Sequence, residues 1–466
     1  VFNTKLKQVY PPVGAVAFKL EGEPILAEGT FVLDKMVRLL DPRRPAYLKW
    51  KVTPDRYQVL KKFVALLSGE AEEAIADLEL VQPTEMEFFA KRLSLPAIWF
   101  HRPYGGMTIQ VEDQVVNTSD WDASQLSLDF DLGFKDLNFR SPKLDQTLRF
   151  NELKGFIAMP SITEKLVFGV LAEGQLSGAA TGEEPSVVTI KGQLWDLVEG
   201  EDKQIQFKTA STKLWATLSN VPATLLGDFF VLPKTAKEHL QAFFGEKLNA
   251  YVQADLDRMA GPITAKLDSS HTKGDLEAEL IDGALLLKND LEFAIDVTPD
   301  TGEQILRYFN PLLITAIKAD KPLEVRVTAK GFKLPVIPLD IAGAQFADAT
   351  VSIGKVTMRN DGPMGSLVKV LQLTRFTDSK DLEVWFTPLY LAMEDGVLTV
   401  KRVDFLVADH FHMATWGKMD LAKDRLGLVA GLSGDTLRSA FKIKGLPDTY
   451  VLQISLKGNF SKPKID

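Results

Sequence analysis

The 466-residue chain contains no cysteine, which excludes disulfides, thiolate metal sites and a cysteine nucleophile. It lacks any apolar run of the roughly 18–20 residues that a membrane-spanning helix needs. It also lacks a run of lysine and arginine, and its formal net charge is −8, so nucleic-acid binding has little support. The chain opens at Val1 without a signal peptide, and we expect a processed piece whose leader or anchor is missing.

The motifs of common enzyme classes are absent as well. The sequence has no G-x-S-x-G elbow, no Walker-type phosphate loop and no dinucleotide glycine fingerprint. Ser433, between Gly431 and Gly434, is expected in a turn and not as a nucleophile. His410 and His412 would share one face of a strand, but no third zinc ligand stands nearby, so a solvated face is favoured over a metal site. We therefore expect neither enzyme activity nor a cofactor.

What the sequence does contain is alternation of apolar and polar residues. It is clearest in Lys247–Asp257, Gly274–Leu280 and Asp290–Val297. A period of two gives a strand one apolar face and one polar face, and such strands are typical of antiparallel sheets. Asp282-Gly283 supplies the positive φ that a tight hairpin needs. The pattern predicts a β-meander with one apolar side.

Similar patterns extend over the rest of the chain and predict a mainly β fold, a long twisted antiparallel meander with a few short amphipathic helices. Further strands are expected at Ala15–Leu20, Gly29–Leu33, Thr108–Val115, Leu126–Leu132, Glu164–Leu171, Val187–Leu194, Gln204–Lys208 and Lys213–Leu218. Three- and four-residue spacing predicts helices after Pro54 and at Glu85–Leu93, Pro233–Gly245, Thr301–Leu313 and Ser366–Leu373. A boundary near Pro233 would separate a β-rich region with capping helices (1–232) from a second β region (233–466).

Short motifs in the C-terminal region resemble those of a known family. They are the turn Asp395-Gly396, the step Gly417-Lys418-Met419-Asp420-Leu421, and the tail with Gly458 and Pro463. Residues 233–466 resemble in these respects the C-terminal region of the AsmA-like proteins of Gram-negative envelopes, and the first half does so only in general character. The resemblance implies a sheet curled into a taco-like groove with an apolar lining.

The same resemblance implies a function and a location. Family members are anchored in the inner membrane, project across the periplasm, and are suspected of carrying phospholipid acyl chains toward the outer membrane or of supporting envelope assembly. It follows for this chain that a phospholipid or other acyl-chain lipid is the expected ligand. Membrane association would use a segment absent from this sequence, and envelope proteins would be partners.

An apolar groove would lower the free-energy cost of moving an acyl chain through water. Each CH₂ removed from water is worth about 0.8 kcal/mol, so a 16-carbon chain meets a barrier on the order of 10 kcal/mol in an aqueous gap. The expected lining comprises Leu248, Val252, Leu256, Leu276, Leu280, Leu291, Phe293, Ile295, Val325, Ile454 and Leu456. The alternative is a closed β core in a structural or assembly module, where an exposed sheet edge pairs with a partner strand.

Overall fold

Antiparallel strands make up most of the described chain, with 64% of residues in strands and 13% in helices, which confirms the mainly β prediction. The structure is a computed structural model and describes residues 14–33, 36–39, 45–58, 79–96, 126–140, 147–161, 163–176, 184–199, 204–205, 210–223, 234–337, 340, 343–370, 380–460 and 463–465. Its contacts divide the chain into two compact units. The N-terminal unit is Val1–Val221 with Gln253–Met259, and the C-terminal unit is Pro222–Val252 with Ala260–Asp466.

The N-terminal unit is built from strands, and residues 54–58 are helical. The strands are β1 (Gly14–Gly22), β2 (Ile25–Leu33), β3 (Met36–Leu39), β4 (Ala46–Val52), β5 (Glu79–Leu80), β6 (Thr84–Pro96), β7 (Ser127–Arg140), β8 (Thr147–Met159), β9 (Leu166–Leu176), β10 (Ser186–Trp195), β11 (Val198–Glu199), β12 (Gln204–Ile205) and β13 (Ser211–Pro222).

Nine of these strands follow one another across a single sheet in chain order. The antiparallel neighbours are β1–β2, β2–β4, β4–β6, β6–β7, β7–β8, β8–β9, β9–β10 and β10–β13. The short strand β3 pairs with both β2 and β6. No described pairing joins β1 to β13, so over these residues the sheet is not closed. The predicted antiparallel meander is confirmed.

The C-terminal unit combines strands with short helices. Its strands are β14 (Lys247–Leu256, shared with the first unit), β15 (Gly261–Ser269), β16 (Thr272–Ile281), β17 (Ala284–Leu287), β18 (Leu291–Ile295), β19 (Ala316–Ala319), β20 (Leu323–Val327), β21 (Leu334–Pro335), β22 (Phe346–Ser352), β23 (Gly354–Arg359), β24 (Asp381–Phe386), β25 (Leu389–Glu394), β26 (Val397–Val407), β27 (Phe411–Asp420), β28 (Arg425–Ser433), β29 (Val451–Gly458) and β30 (Pro463–Ile465). Its α-helices are α1 (Lys234–Phe244), α2 (Pro299–Gln304), α3 (Gly362–Val370) and α4 (Gly434–Phe441), and 3₁₀ turns cover Leu306–Tyr308 and Pro311–Thr315.

Strand β26 pairs with two different strands, so the sheet of this unit splits there into two branches. The core lies between these branches. One part of β26 pairs with β25, which continues through β22, β20 and β18. The other part, Phe405–Val407, pairs with β24, which continues through β23 and β19. Buried side chains from both branches belong to one cluster, among them Val351, Val356 and Val384, each with no exposed surface. The two apolar faces therefore meet each other.

The turns and helices agree in part with the sequence. Asp282 and Gly283 both have positive φ between β16 and β17, which confirms the predicted hairpin. The helices expected at Pro233–Gly245 and Ser366–Leu373 are found as α1 and α3, and the segment Thr301–Leu313 is helical in short pieces. The predicted helix at Glu85–Leu93 is wrong, because these residues form the middle of β6. Thr108–Val115 and the helix after residue 58 lie outside the described residues.

The central strands and the end of the chain complete the comparison. The alternating stretches lie on β14, β16 and β18, as predicted. The prediction that Ser433 lies in a turn is wrong, because it is the last residue of β28 and its side chain caps the N-terminus of α4 by accepting from the backbone N–H of Thr436. In the part of the chain that the structure describes, no helix has both the length and the hydropathy to cross a bilayer.

Candidate functional site

The apolar side of the N-terminal sheet is the most extensive candidate surface among the residues that the structure describes. The register places one residue of each strand opposite one residue of the next, so rows of side chains can be followed across the sheet. The first row crosses all nine strands through Leu20, Ala27, Leu48, Phe88, Leu132, Gly155, Val170, Ile190 and Ala216. Not one of these residues is polar.

Two further rows run beside the first, and they are apolar too. The second comprises Ile25, Trp50, Met86, Phe134, Leu153, Ala172, Val188 and Leu218. The third comprises Ala46, Ala90, Phe130, Ile157, Phe168, Gly192 and Leu214. We call the residues of these three rows the N-terminal apolar face. With strands about 4.8 Å apart, eight steps extend it about 38 Å across the sheet.

The centre of this face is not sealed. Leu132, Leu153 and Ile190 are half-buried, and Val170 is 38% exposed. The extensive contacts between described elements of this unit are those between neighbouring strands of the sheet. In the C-terminal unit, by contrast, the apolar side chains that the strands contribute to the closed core have almost no exposed surface. A single layer of strands leaves its large side chains partly accessible.

The strand ends of the same sheet are better covered than its centre. At one end Leu126, Leu197 and Ala210 bury Met159, and the half-buried Leu128, Leu166 and Leu194 pack against them. At the other end the ring of Tyr57 lies 5.3 Å from the ring of Phe139, and burial raises the pKa of the Tyr57 hydroxyl. The accessible part of the face is thus a strip that crosses the strands between two covered margins.

The opposite side of this sheet carries ion pairs. Lys49 reaches Glu85 at 2.9 Å and Glu87 at 3.4 Å across β4 and β6. Lys91 and Asp131 are 2.5 Å apart. Aromatic side chains also lie on this side, such as Tyr47 and Phe89 with ring centroids 4.7 Å apart. The sheet is therefore amphipathic, with charge confined in these rows to one side.

The lining predicted from the central meander falls into two groups. Leu248, Leu256, Leu280, Ile295, Val325 and Leu456 are buried, and Ile295, Val325 and Leu456 belong to the closed core. Val252, Leu276, Leu291, Phe293 and Ile454 are half-buried. The ring of Phe293 meets that of Phe243 on α1 at 6.1 Å. Burial of the first group fits the closed-core alternative at these positions, and lipid binding by either group stays a prediction.

The histidine pair expected on one strand face is separated. His410 lies in the turn before β27, where its Nδ1 is 2.9 Å from the Asp409 carbonyl, so the prediction of a shared face is wrong. His412 is on β27, with Nε2 2.9 Å from Asp404. Burial opposes ionisation of Asp404, but hydrogen bonds from Arg402 and His412 outweigh it and hold the pKa of this carboxyl below its usual range. No group of three metal-ligating side chains is found within the described residues.

The rows of the N-terminal face were only partly visible in the sequence. The sequence predicts six of its nine strands, at Ala15–Leu20, Gly29–Leu33, Leu126–Leu132, Glu164–Leu171, Val187–Leu194 and Lys213–Leu218, but it does not predict β4 or β8 and predicts β6 as a helix. The signal in β8 was present, because Leu153, Ile157 and Met159 keep the period of two, but Phe156 on the opposite side obscured it. The register that aligns these strands into rows depends on pairing between strands.

Comparison with known proteins returns no relatives: no family model, no curated protein and no solved structure matches the chain.

Proposed function

We propose that the chain is a non-enzymatic protein that shields lipid acyl chains along its N-terminal apolar face. The observation that carries the proposal is the set of three uninterrupted apolar rows with a half-exposed centre. An acyl chain laid along the strip would exchange water for Leu, Val, Ile and Phe side chains, at about 25 cal/mol for each Å² removed from water. Exposed apolar patches of this extent mark sites of interaction in soluble proteins.

The direction of the strip favours a continuous path for a lipid tail over a pocket that holds one ligand in place. The rows run across the strands, and each row continues from one strand to the next without a polar residue. A lipid tail displaced by one strand spacing, about 4.8 Å, therefore meets the same kind of surface that it leaves. The charges on the opposite side keep that side in water, while a headgroup would stay in solvent above the open strip.

The setting of this activity is part of the proposal. The sequence resemblance to the AsmA-like proteins favours a periplasmic protein, anchored in the inner membrane in its full-length form, that carries phospholipid between the inner and outer membranes. The apolar face is consistent with this assignment because transport along a protein needs no catalytic residue and no cofactor.

Site-specific photo-crosslinking tests the proposal with matched positions on adjacent residues. Benzoylphenylalanine at Leu153 or Ile190 points to the apolar side, whereas the same group at Lys154 or Lys191 points to the opposite side. After expression in a Gram-negative host, we expect lipid adducts by mass spectrometry from Leu153 and Ile190 and few or none from Lys154 and Lys191. Equal adduct formation on both sides, or none on either, would refute the proposal.

A second candidate is a structural or assembly module of the envelope, and the closed core of the C-terminal unit favours it. Side chains of β20, β22, β23, β24 and β25 fill that core, as in a protein with no internal ligand. The same crosslinking separates the two candidates, since an assembly module would give protein adducts in place of lipid adducts at Leu153 and Ile190.

A further inference from the structure

A second apolar surface lies at the other end of the chain, on residues 441–452, which we call the tip segment. Of seventeen large apolar side chains that are substantially exposed among the described residues, five fall in these twelve positions. They are Phe441, Ile443, Tyr450, Val451 and Leu452, each between 37% and 44% exposed. Single exposed apolar residues are ordinary. Val451 and Leu452 follow each other on β29 and point to opposite faces, so the candidate contact surface comprises Phe441, Ile443, Tyr450 and Leu452.

The tip segment is held in place. Ser433 caps α4, and Arg438 on that helix forms ion pairs with Asp435 at 3.2 Å and with Asp448 at 2.5 Å. Behind it, Leu446 packs against the core of the unit. Because one apolar residue is anchored inward and the segment is tied to α4, the exposure of its other apolar side chains is built into the fold.

The charges of the tip segment are arranged in a specific way. Lys442 follows Phe441 and Lys444 follows Ile443, so cationic and apolar side chains alternate. Arg438 faces two carboxylates, those of Asp435 and Asp448. Neither lysine takes part in an ion pair within the described part of the chain. Three cationic side chains against two carboxylates leave this surface with a net charge of +1, in a chain whose net charge is −8.

We propose that the tip segment docks on the surface of an anionic lipid bilayer. Phe441, Ile443 and Leu452 would enter the boundary between headgroups and acyl chains, and Tyr450 would lie at the headgroup level, where tyrosine is enriched. Lys442 and Lys444 would extend toward lipid phosphates. A protein partner fits less well, because lysine is depleted from the cores of protein interfaces. The proposal rests on a surface separate from the N-terminal apolar face.

Vesicle flotation with the full chain tests this proposal. We expect binding to phosphatidylcholine vesicles that contain about 30% phosphatidylglycerol, weakening as salt rises. The double variant Phe441→Ser with Ile443→Ser should lower the bound fraction about tenfold. Lys442→Glu with Lys444→Glu should lower it by about fivefold per lysine on anionic vesicles, with little effect on pure phosphatidylcholine.

The control is an exposed aromatic pair elsewhere in the same unit. Trp385 and Tyr390 are 46% and 42% exposed, and Trp385 lies beside Lys355, which is already paired with Glu383 at 2.9 Å. Trp385→Ser with Tyr390→Ser should leave vesicle binding unchanged, and circular dichroism checks that each variant is folded. The proposal fails if the wild type does not bind anionic vesicles, if control and tip variants lose binding equally, or if the tip variants only convert a dimer to a monomer in light scattering.

Discussion

At the scale of single residues, burial of similar side chains distinguishes the two units. Leu391 on β25 is 2% exposed and packs within the closed core, whereas Leu132 on β7 is half-buried on the N-terminal apolar face. Both are strand leucines with apolar neighbours on each side. The difference lies in whether a second layer covers them, which is the physical distinction between a core and an accessible surface.

Truncation of these two leucines should have unequal effects. Leu391→Ala removes buried contacts and leaves a cavity, so we expect a loss of about 2–5 kcal/mol in the free energy of unfolding of the C-terminal unit. Leu132→Ala leaves no enclosed cavity and should cost about 1 kcal/mol. Urea denaturation followed by circular dichroism measures both. Equal losses would mean that Leu132 is as enclosed as Leu391, which would contradict an accessible face.

At the scale of elements, β6 explains the failure of one sequence prediction. Met86, Phe88 and Ala90 alternate regularly, but a bulge between Ala90 and Arg92 brings Leu93, opposite Leu128, back to the apolar side. The extra residue gives Met86, Ala90 and Leu93 the spacing of four and three that is typical of a helix. Local periodicity cannot separate a bulged strand from a helix, because the register with β7 decides it.

Deleting the extra residue tests this explanation. Without Lys91, Ala90, Arg92 and Leu93 would alternate in a regular strand, so the deletion should fold and lose little beyond the exposed ion pair with Asp131, no more than about 1 kcal/mol. Deletion of Phe89 is the control, since in a regular strand it would place Ala90 on the charged side and Lys91 on the apolar side. Thermal denaturation should separate them clearly, and similar melting temperatures would contradict the bulge.

Among the elements, local sequence patterns predicted individual strands and a turn but not the closed core. Alternation predicted the central strands β14, β16 and β18, and Asp282-Gly283 marked the hairpin of β16 and β17, because these features are local. The closed core of the C-terminal unit could not be foreseen, since it depends on β26 pairing with both β24 and β25. Alternation marks an apolar face but does not tell whether a second layer covers it.

At the scale of the whole molecule, the two units should differ in dynamics. Amides of β20, β22, β25 and β26 belong to strands whose side chains fill a closed core, while those of β7–β10 belong to a sheet with no second layer among the described elements. Opening of a single layer exposes less buried apolar surface and costs less free energy. Hydrogen exchange by mass spectrometry should therefore be faster in β7–β10, and added lipid should slow it there. Equal protection of both sets of strands without lipid would count against this difference.

Along the N-terminal sheet the strands are neighbours in space in the same order as in the chain. The number of strands therefore sets the width of the sheet. Excising the hairpin of β8 and β9 would bring β7 beside β10 in the same antiparallel sense, with Leu132 facing Ile190, and would shorten the strip by about 10 Å. Duplicating that hairpin would lengthen it by the same amount. A protein assembled in this way could adapt its reach by gaining or losing pairs of strands without a new fold.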